Sequence, residues 1–404
     1  MRIFHSALDE EIKKGLTTDV YFVRTKKILE RYGLGDKRVV MEITTSSLPN
    51  GWKWGVLTGT VEFMRLLEGL KVDVYVMPEG TIFKPEDISG VKIPVAFIDG
   101  PYGEFCIYET PMLGFLCQSS GVSTTAARIR LKAWDKILLA FGARRMHPSI
   151  TPMLDWATYV GGFDGVSTLL GAEVIRRKPM GTMPHALIIV FGDQVKAWRA
   201  FDDVIDREVP RIMLVDTFFD EKMESLMAAE EFKGRIYGVR LDTPSSRRGK
   251  MGQIIKEVRW ELDIRGFKNV KIIVSGGINE ENIDELVKAG ADGFGIGTSV
   301  SNAPTVDFAA DIVEVDGKPI AKRGKFSGRK QVWRCEDCLT FKVTIWNEEE
   351  AKCPYCGKNM KKLLKKVIKE GKIIERIPTA SEAREYVLKQ LEKIREIGGL
   401  NFDP

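Results

Sequence analysis

Three stretches decide the fold: Ile212-Met213-Leu214-Val215-Asp216-Thr217, Ile236-Tyr237-Gly238-Val239-Arg240-Leu241-Asp242 and Lys271-Ile272-Ile273-Val274-Ser275-Gly276-Gly277. Each is a short apolar run that ends in polar or glycine residues. Leu187-Ile188-Ile189-Val190 and Gly293-Phe294-Gly295-Ile296 read as further runs of the same kind. None alternates, so each is expected to be buried on both faces, as strands of a parallel sheet are. Helical stretches separate them, which leaves a TIM-like barrel or a doubly wound sheet. The run ends favour the barrel, because polar and glycine residues at the carboxyl ends of successive strands build a barrel's active-site rim. No GxGxxG opens a first strand–helix unit, so a dinucleotide fold has little support.

Outward from this core, residues 1–120 read as a separate mixed α/β domain. Asp19 to Tyr32 has a helical period, whereas Val39 to Thr44 and Val72 to Val76 alternate as strands. Thr124 to Leu139 is predicted as one long helix. Val313 to Ile320 carries an Asp316-Gly317 hairpin turn, and Ser381 to Ile397 reads as a closing helix. The expected domains are residues 1–120, completed by about 305–332; a barrel over 121–304; and a small module with a C-terminal helix over 333–404.

The 404 residues carry 61 Lys and Arg against 56 Asp and Glu, a net charge of +5. That near balance does not mark a dedicated nucleic-acid binder and leaves small anionic substrates open. With 44% hydrophobic and 29% charged residues, the composition is globular rather than disordered. No apolar run approaches the roughly 18 residues a membrane span needs. Met1-Arg2-Ile3-Phe4-His5 lacks a signal-peptide core, so a cytoplasmic location is expected. The 5 Gln and 8 Asn, set against abundant Lys and Glu, suggest a heat-loving source.

Cys335-Glu336-Asp337-Cys338 and Cys353-Pro354-Tyr355-Cys356 are two CxxC pairs with 14 residues between them. In a cytosolic chain this spacing reads as a four-thiolate zinc site, with disulfides or redox pairs as the alternative. With all four positions filled by Cys, no coordination position stays open, so the zinc would be structural. Cys106 and Cys117 lie elsewhere, in apolar surroundings.

The catalytic signal is strongest in Ser275-Gly276-Gly277 and Gly293-Phe294-Gly295-Ile296-Gly297-Thr298. Glycine lets a phosphate approach backbone N–H groups closely, and the loops after the last barrel strands are the usual phosphate site of such folds. Gly142-Ala143-Arg144-Arg145-Met146-His147 offers two guanidiniums and an imidazole to phosphate or pyrophosphate. Gly181-Thr182-Met183-Pro184-His185 places one of the chain's three histidines on a turn, where function concentrates. Asp216, Arg240 and Asp242 come together at adjacent strand ends. Two carboxylates suit Mg²⁺ on a polyphosphate, and a guanidinium suits a substrate carboxylate; a buried ion pair at the rim is the structural alternative. Thr17-Thr18-Asp19-Val20-Tyr21 opens a helix, with Tyr21 either incidental to the cap or part of the site.

In order, Leu16 to Tyr21, Gly142 to Arg145, Gly161-Gly162-Phe163-Asp164-Gly165-Val166-Ser167, Gly181 to His185, Leu214 to Thr217, Gly238 to Asp242 and Gly295 to Thr298 resemble the nicotinate phosphoribosyltransferase family, with the C-terminal zinc module of its archaeal branch. The resemblance implies an N-terminal α/β domain packed on an irregular, quinolinate phosphoribosyltransferase-like α/β barrel. It implies attack of nicotinate on C1 of phosphoribosyl pyrophosphate, giving nicotinate mononucleotide and pyrophosphate, with ATP as co-substrate and Mg²⁺. It also implies homo-oligomers built from dimers that share active sites. Tyr21 would stack on the pyridine ring and Arg240 would bind the nicotinate carboxylate. Arg144 and Arg145 would meet the phosphates, Gly276, Gly277, Gly295 and Gly297 would cradle the 5-phosphate, and His147, Thr182, Ser275 and Thr298 would be further substrate-binding residues. His185 would be the phosphohistidine, with Asp216 and Asp242 beside it.

Two departures from the family pattern stand out. Thr243-Pro244-Ser245 follows Asp242 where many members carry Ser-Gly-Asp, and Ala186 follows His185 where they tend to carry Ser. Quinolinate or nicotinamide phosphoribosyl transfer are the enzymatic alternatives. A zinc-ribbon nucleic-acid-binding protein is the alternative outside enzymes, resting on Lys361, Lys362, Lys365, Lys366, Lys369 and Lys372. Those lysines alternate with Leu363, Leu364, Val367 and Ile368 at what reads as helical spacing, so a solvated helix face is expected there, with no nucleic-acid partner.

Overall fold

The computed structural model describes residues 3–402, so Met1 and Arg2 of the N-terminal stretch lie outside the described residues. The chain forms two compact units, Met1–Thr124 with Ala303–Pro404, and Thr125–Asn302. The fold is mixed α/β of the expected class.

The second unit is built on six parallel strands: β1 (Ile137–Ala140), β2 (Gly165–Val166), β3 (Ile212–Leu214), β4 (Gly238–Leu241), β5 (Lys271–Ser275) and β6 (Gly293–Ile296). Their order is β2-β1-β6-β5-β4-β3, a curled half-barrel. The pairing Ser275↔Gly295, Val274↔Leu241 and Ile296↔Ala140 aligns the carboxyl ends of β1, β4, β5 and β6. Every residue of β3 and β6 is buried, which explains why these runs do not alternate.

Two expectations fail in this unit. Leu187 to Val190 is not a strand but the middle of a helix, His185–Phe191. Pro184 precedes its first turn and Gly192, at φ 66°, closes it by donating to the Ile188 and Ile189 carbonyls. Only Ile188 is buried, so this β-branched run has no second face to hide and local capping wins over propensity. The long helix runs over Glu109–Lys132 rather than Thr124 to Leu139, and Ile137–Ala140 is strand β1. Its apolar period is hidden because small polar residues are buried in it among the apolar ones. Ser119, Ser120, Ser123 and Thr124 are all buried, bonded to Thr58 or to the backbone of Val56 and Thr58. At Gly121 an added Cβ would stand 2.1 Å from the Pro304 carbonyl oxygen.

In the first unit, Arg38–Thr45 pairs antiparallel with Ala96–Pro101 and with Phe308–Val315, inside a seven-stranded sheet. Asp316 and Gly317, both at positive φ, form the hairpin turn read from the sequence. The lysine-rich segment is not a helix face. It forms the strands Lys361–Lys362, Lys365–Lys369 and Lys372–Ile373, the second of them paired with Asp73–Val76. A register shift between Lys366 and Ile368 breaks strict alternation, and the paired apolar residues Leu363-Leu364 and Val367-Ile368 all enter the unit's main core. That combination imitates helical spacing in the sequence.

Candidate functional site

The carboxyl ends of β1, β4, β5 and β6 open into a cavity of about 620 Å³. Arg144, Arg145, Thr182, His185, Arg240, Asp242, Ser275, Gly276, Gly277, Gly295, Gly297 and Thr298 line it, together with Phe141, Ser167 and Met183. Its walls contain three arginines and no lysine.

Glycine is required here for stated reasons. Gly276 and Gly277 have φ of 88° and 73°, where a side chain is strained. At Gly295 an added Cβ would stand 2.3 Å from the Phe141 ring. Opposite these turns, Arg144 and Arg145 occupy a short 3₁₀ turn, Ala143–Arg145, directly after β1. Both are exposed, and no carboxylate among the described residues pairs with them, so the cavity holds two free guanidiniums.

His185 begins its helix and faces the ends of β3 and β4. Its Nδ1 lies 3.0 Å from Thr217 Oγ1. Its Nε2 lies 3.7 Å from Asp216 Oδ1 and 3.6 Å from Asp242 Oδ2. Asp242 holds the His185 pKa above its ordinary value, against the opposing effect of burial, and Asp216 adds to it. Burial pushes Asp216 up. Burial would also raise Asp242, but contact with His185, the Ser275 hydrogen bond at 2.6 Å and the Arg240 charge outweigh it, so its carboxyl lies below the usual range. The Asp216 side chain is 3% exposed. Its Oδ2 accepts from the Asp242 N–H and the Thr243 hydroxyl, while its Oδ1 is buried without a hydrogen bond.

Arg240 is 12% exposed and lies 3.8 Å from Asp242. Its Nη2 donates to the Met183 carbonyl at 3.2 Å, its guanidinium covers the Phe141 ring, and its Nε is buried without a partner. Burial pulls its pKa down. An inward-facing guanidinium with spare donors is equipped for a ligand carboxylate.

Three candidates do not line the cavity: the buried Asp216, which reaches it only through His185 and Asp242, and two others. The exposed His147 accepts the Ser149 N–H through Nδ1 and so caps a turn. Tyr21 belongs to the first unit, on the helix Val20–Arg31, and is 55% exposed. Phe141, Met183 and Glu224 were missed by the sequence reading. Glu224 alone had a visible cue, an acid in the first turn after the Asp220 N-cap.

In the first unit, the Sγ atoms of Cys335, Cys338, Cys353 and Cys356 all lie within 4.8 Å of one another, with Cys335 and Cys356 at 3.6 Å. Four thiolates bound at about 2.3 Å around a tetrahedral ion stand about 3.7 Å apart, so the cluster fits zinc. None of these cysteines is in a disulfide. Among the described residues no helix is long and apolar enough to cross a membrane.

The family models for the C-terminal and N-terminal domains of quinolinate phosphoribosyl transferase match residues 122–311 and 19–120. A nicotinate phosphoribosyltransferase from Mycobacterium tuberculosis is 30% identical over 351 residues, covering 82% of this chain and 72% of that one. The Bacillus subtilis nicotinate phosphoribosyltransferase is 26% identical over 369 residues, covering 79% and 72%. A solved structure from Pyrococcus furiosus, described as a nicotinate-nucleotide pyrophosphorylase, is 55% identical with a TM-score of 0.93, over 97% of this chain and 99% of that one. Human nicotinic acid phosphoribosyltransferase, at 20% identity and a TM-score of 0.71 over 94% of each chain, shares the fold.

Proposed function

The chain belongs to the nicotinate phosphoribosyltransferase family of NAD biosynthesis, and on that premise we propose that it joins nicotinate to phosphoribosyl pyrophosphate, releasing pyrophosphate, with ATP hydrolysis coupled through His185. The observation that carries the substrate is Arg240, one buried guanidinium with unpartnered donors among the cavity's three arginines. Arg144 and Arg145 are taken up by phosphate groups, which leaves one guanidinium for one carboxylate. Quinolinate, a dicarboxylate, asks for more positive charge than remains. The name given to the Pyrococcus furiosus structure keeps that second reading in play.

In this reading the glycine turns Gly276-Gly277 and Gly295 to Gly297 hold the 5-phosphate, and Phe141 backs Arg240. The pyridine nitrogen attacks C1 of the ribose without a base, because it already carries a lone pair. The protein's task is to position two reactants and to meet the leaving charge with Arg144 and Arg145. Asp216 and Asp242 are the residues suited to Mg²⁺, and the buried, unbonded Asp216 Oδ1 supports that assignment. Held by these two carboxylates, Mg²⁺ would supply charge neutralisation for the pyrophosphate. His185, backed by two carboxylates, is placed to accept a phosphoryl group. Tyr21 is assigned to the active site of a second copy. Val20, Tyr21 and Ile28, each more than half exposed, give the helix Val20–Arg31 an apolar surface for such a dimer.

The test is pyrophosphate release with nicotinate, quinolinate or nicotinamide, each with and without ATP. Nicotinate is expected to react without ATP and faster with it, and ATP with Mg²⁺ is expected to leave an acid-labile, base-stable phosphoryl label on the protein. His185→Asn should abolish the label and the stimulation while sparing some ATP-independent transfer. Equal loss with and without ATP, with no label in the wild type, refutes coupling through His185. Reaction with quinolinate and release of CO₂ refutes the substrate.

A further inference from the structure

His185 is steered by a residue that touches neither its ring nor the cavity. Glu224, in the first turn of the helix Glu221–Glu231, is fully buried. Its Oε2 accepts the Thr217 N–H at 3.1 Å, and its Oε1 accepts the N–H groups of Phe218 at 2.7 Å and Phe219 at 2.9 Å. No cationic side chain among the described residues forms an ion pair with it. Three backbone donors alone compensate its burial, so the carboxylate and the turn hold each other in place. That turn follows β3 and presents two groups to the imidazole: the Thr217 hydroxyl to Nδ1 and the Asp216 carboxylate to Nε2.

We propose that Glu224 is a positioning residue for His185: by clamping the Asp216–Phe219 turn it fixes the rotamer of the ring and the nitrogen that carries its proton. A carboxylate only accepts hydrogen bonds, so Nε2, which faces Asp216 and Asp242, carries the hydrogen of the neutral ring. Nδ1 then accepts from the Thr217 hydroxyl, which can donate only while the turn is held. Asp242 and Arg240 reach His185 from the end of β4, where the Asp242 N–H also donates to Asp216. The proposal rests on His185 being an active-site group, but the clamp is read out on the ring itself.

The chain has three histidines, His5, His147 and His185, so a ring-¹⁵N spectrum of the full-length protein is simple, and His185→Asn assigns the third signal. Spectra are compared at one alkaline pH where the ring is neutral. In Glu224→Gln the shape is kept, but an amide NH₂ must face at least one backbone N–H, donor against donor. The expected result is a several-fold rise of the Nδ1–H tautomer of His185, with His5 and His147 unmoved. Thr217→Val removes the Nδ1 partner and should shift the Nδ1 resonance of His185, and Thr217→Ser should keep the wild-type spectrum. Asp220→Ala serves as the control, because it removes the cap to the Met223 N–H at the same helix end. It should lower the melting temperature and leave His185 unchanged. A Glu224→Gln variant that melts lower with an unaltered His185 signal overturns the proposal and leaves Glu224 a structural acid. Should that variant not fold, an unaltered signal in Thr217→Val overturns it equally. If His185→Asn leaves transfer and its ATP response untouched, the functional reading of His185 falls while the clamp is still judged by the spectra.

Discussion

Replacing Arg240 with alanine is expected to raise the KM for nicotinate by two to three orders of magnitude and to collapse the preference for nicotinate over nicotinamide. The side chain is 12% exposed, stacked over Phe141, held by the Met183 carbonyl and part of the cavity lining, so it is the guanidinium proposed to meet the carboxylate. Without the guanidinium, a bound carboxylate sits unpaired beside the buried end of the cavity, a loss of roughly 3–5 kcal/mol, and each 1.4 kcal/mol is about tenfold. Nicotinamide is neutral and loses little, so the change is selective. Arg240→Lys should recover only part of it, because an ammonium is a point charge without the fork that meets both carboxylate oxygens. Arg240 also lies 3.8 Å from Asp242, so the melting temperature should be followed alongside the kinetics to separate binding from folding. Wild-type selectivity in a folded Arg240→Ala variant would show that the carboxylate is anchored elsewhere.

What could be read from the sequence depended on whether a residue's role is set by its neighbours in the chain or by distant ones. The strand ends at Asp216, Arg240, Asp242 and Ser275 to Gly277 were legible because a buried parallel strand is a continuous apolar run and its rim residues follow directly. The four cysteines were legible because CxxC spacing alone brings thiolates together. The predicted helix ran on into Ile137–Ala140 because the buried Ala126, Ala127, Ile129 and Leu131 before it are apolar like the strand itself, so the boundary carries no clear change of period. The helix His185–Phe191 was misread because its β-branched residues imitate a strand, and only Pro184 and Gly192 betray it. Glu224 looks like any acid near a helix start. What sets it apart is its contact with the turn after β3, which no spacing rule expresses. His147 was read from its place beside two arginines and Tyr21 from its place at a helix start, and neither reaches the cavity lining in the single chain.

The C-terminal cysteines give the second large effect. One zinc ion per chain is expected at Cys335, Cys338, Cys353 and Cys356, and Cys353→Ser should lose it. The cysteine cluster packs around only Trp333, Ala351 and Met360, too few apolar side chains to hold a fold, whereas apparent zinc-binding energies in structural sites run to about 10–16 kcal/mol. A zinc ion bound there is therefore expected to supply much of the folding energy of residues 335–360. The damage should not stop there. Phe341 between the two cysteine pairs, and Val332, Leu363, Leu364, Val367 and Ile368 on either side of them, belong to the main core of the first unit. Releasing the knuckles frees the ends of Lys330–Arg334 and Lys365–Lys369, so the melting temperature of that unit should fall. The unit Thr125–Asn302 has its own sheet and should keep its fold. Metal analysis, limited proteolysis and calorimetry check this together: loss of zinc, first cuts between residues 335 and 360, and two separated transitions in place of one. Carefully purified wild-type protein without zinc, or a Cys353→Ser variant that melts as the wild type does, would leave the cluster without a metal role, and the spacing of the cysteines would then need another cause.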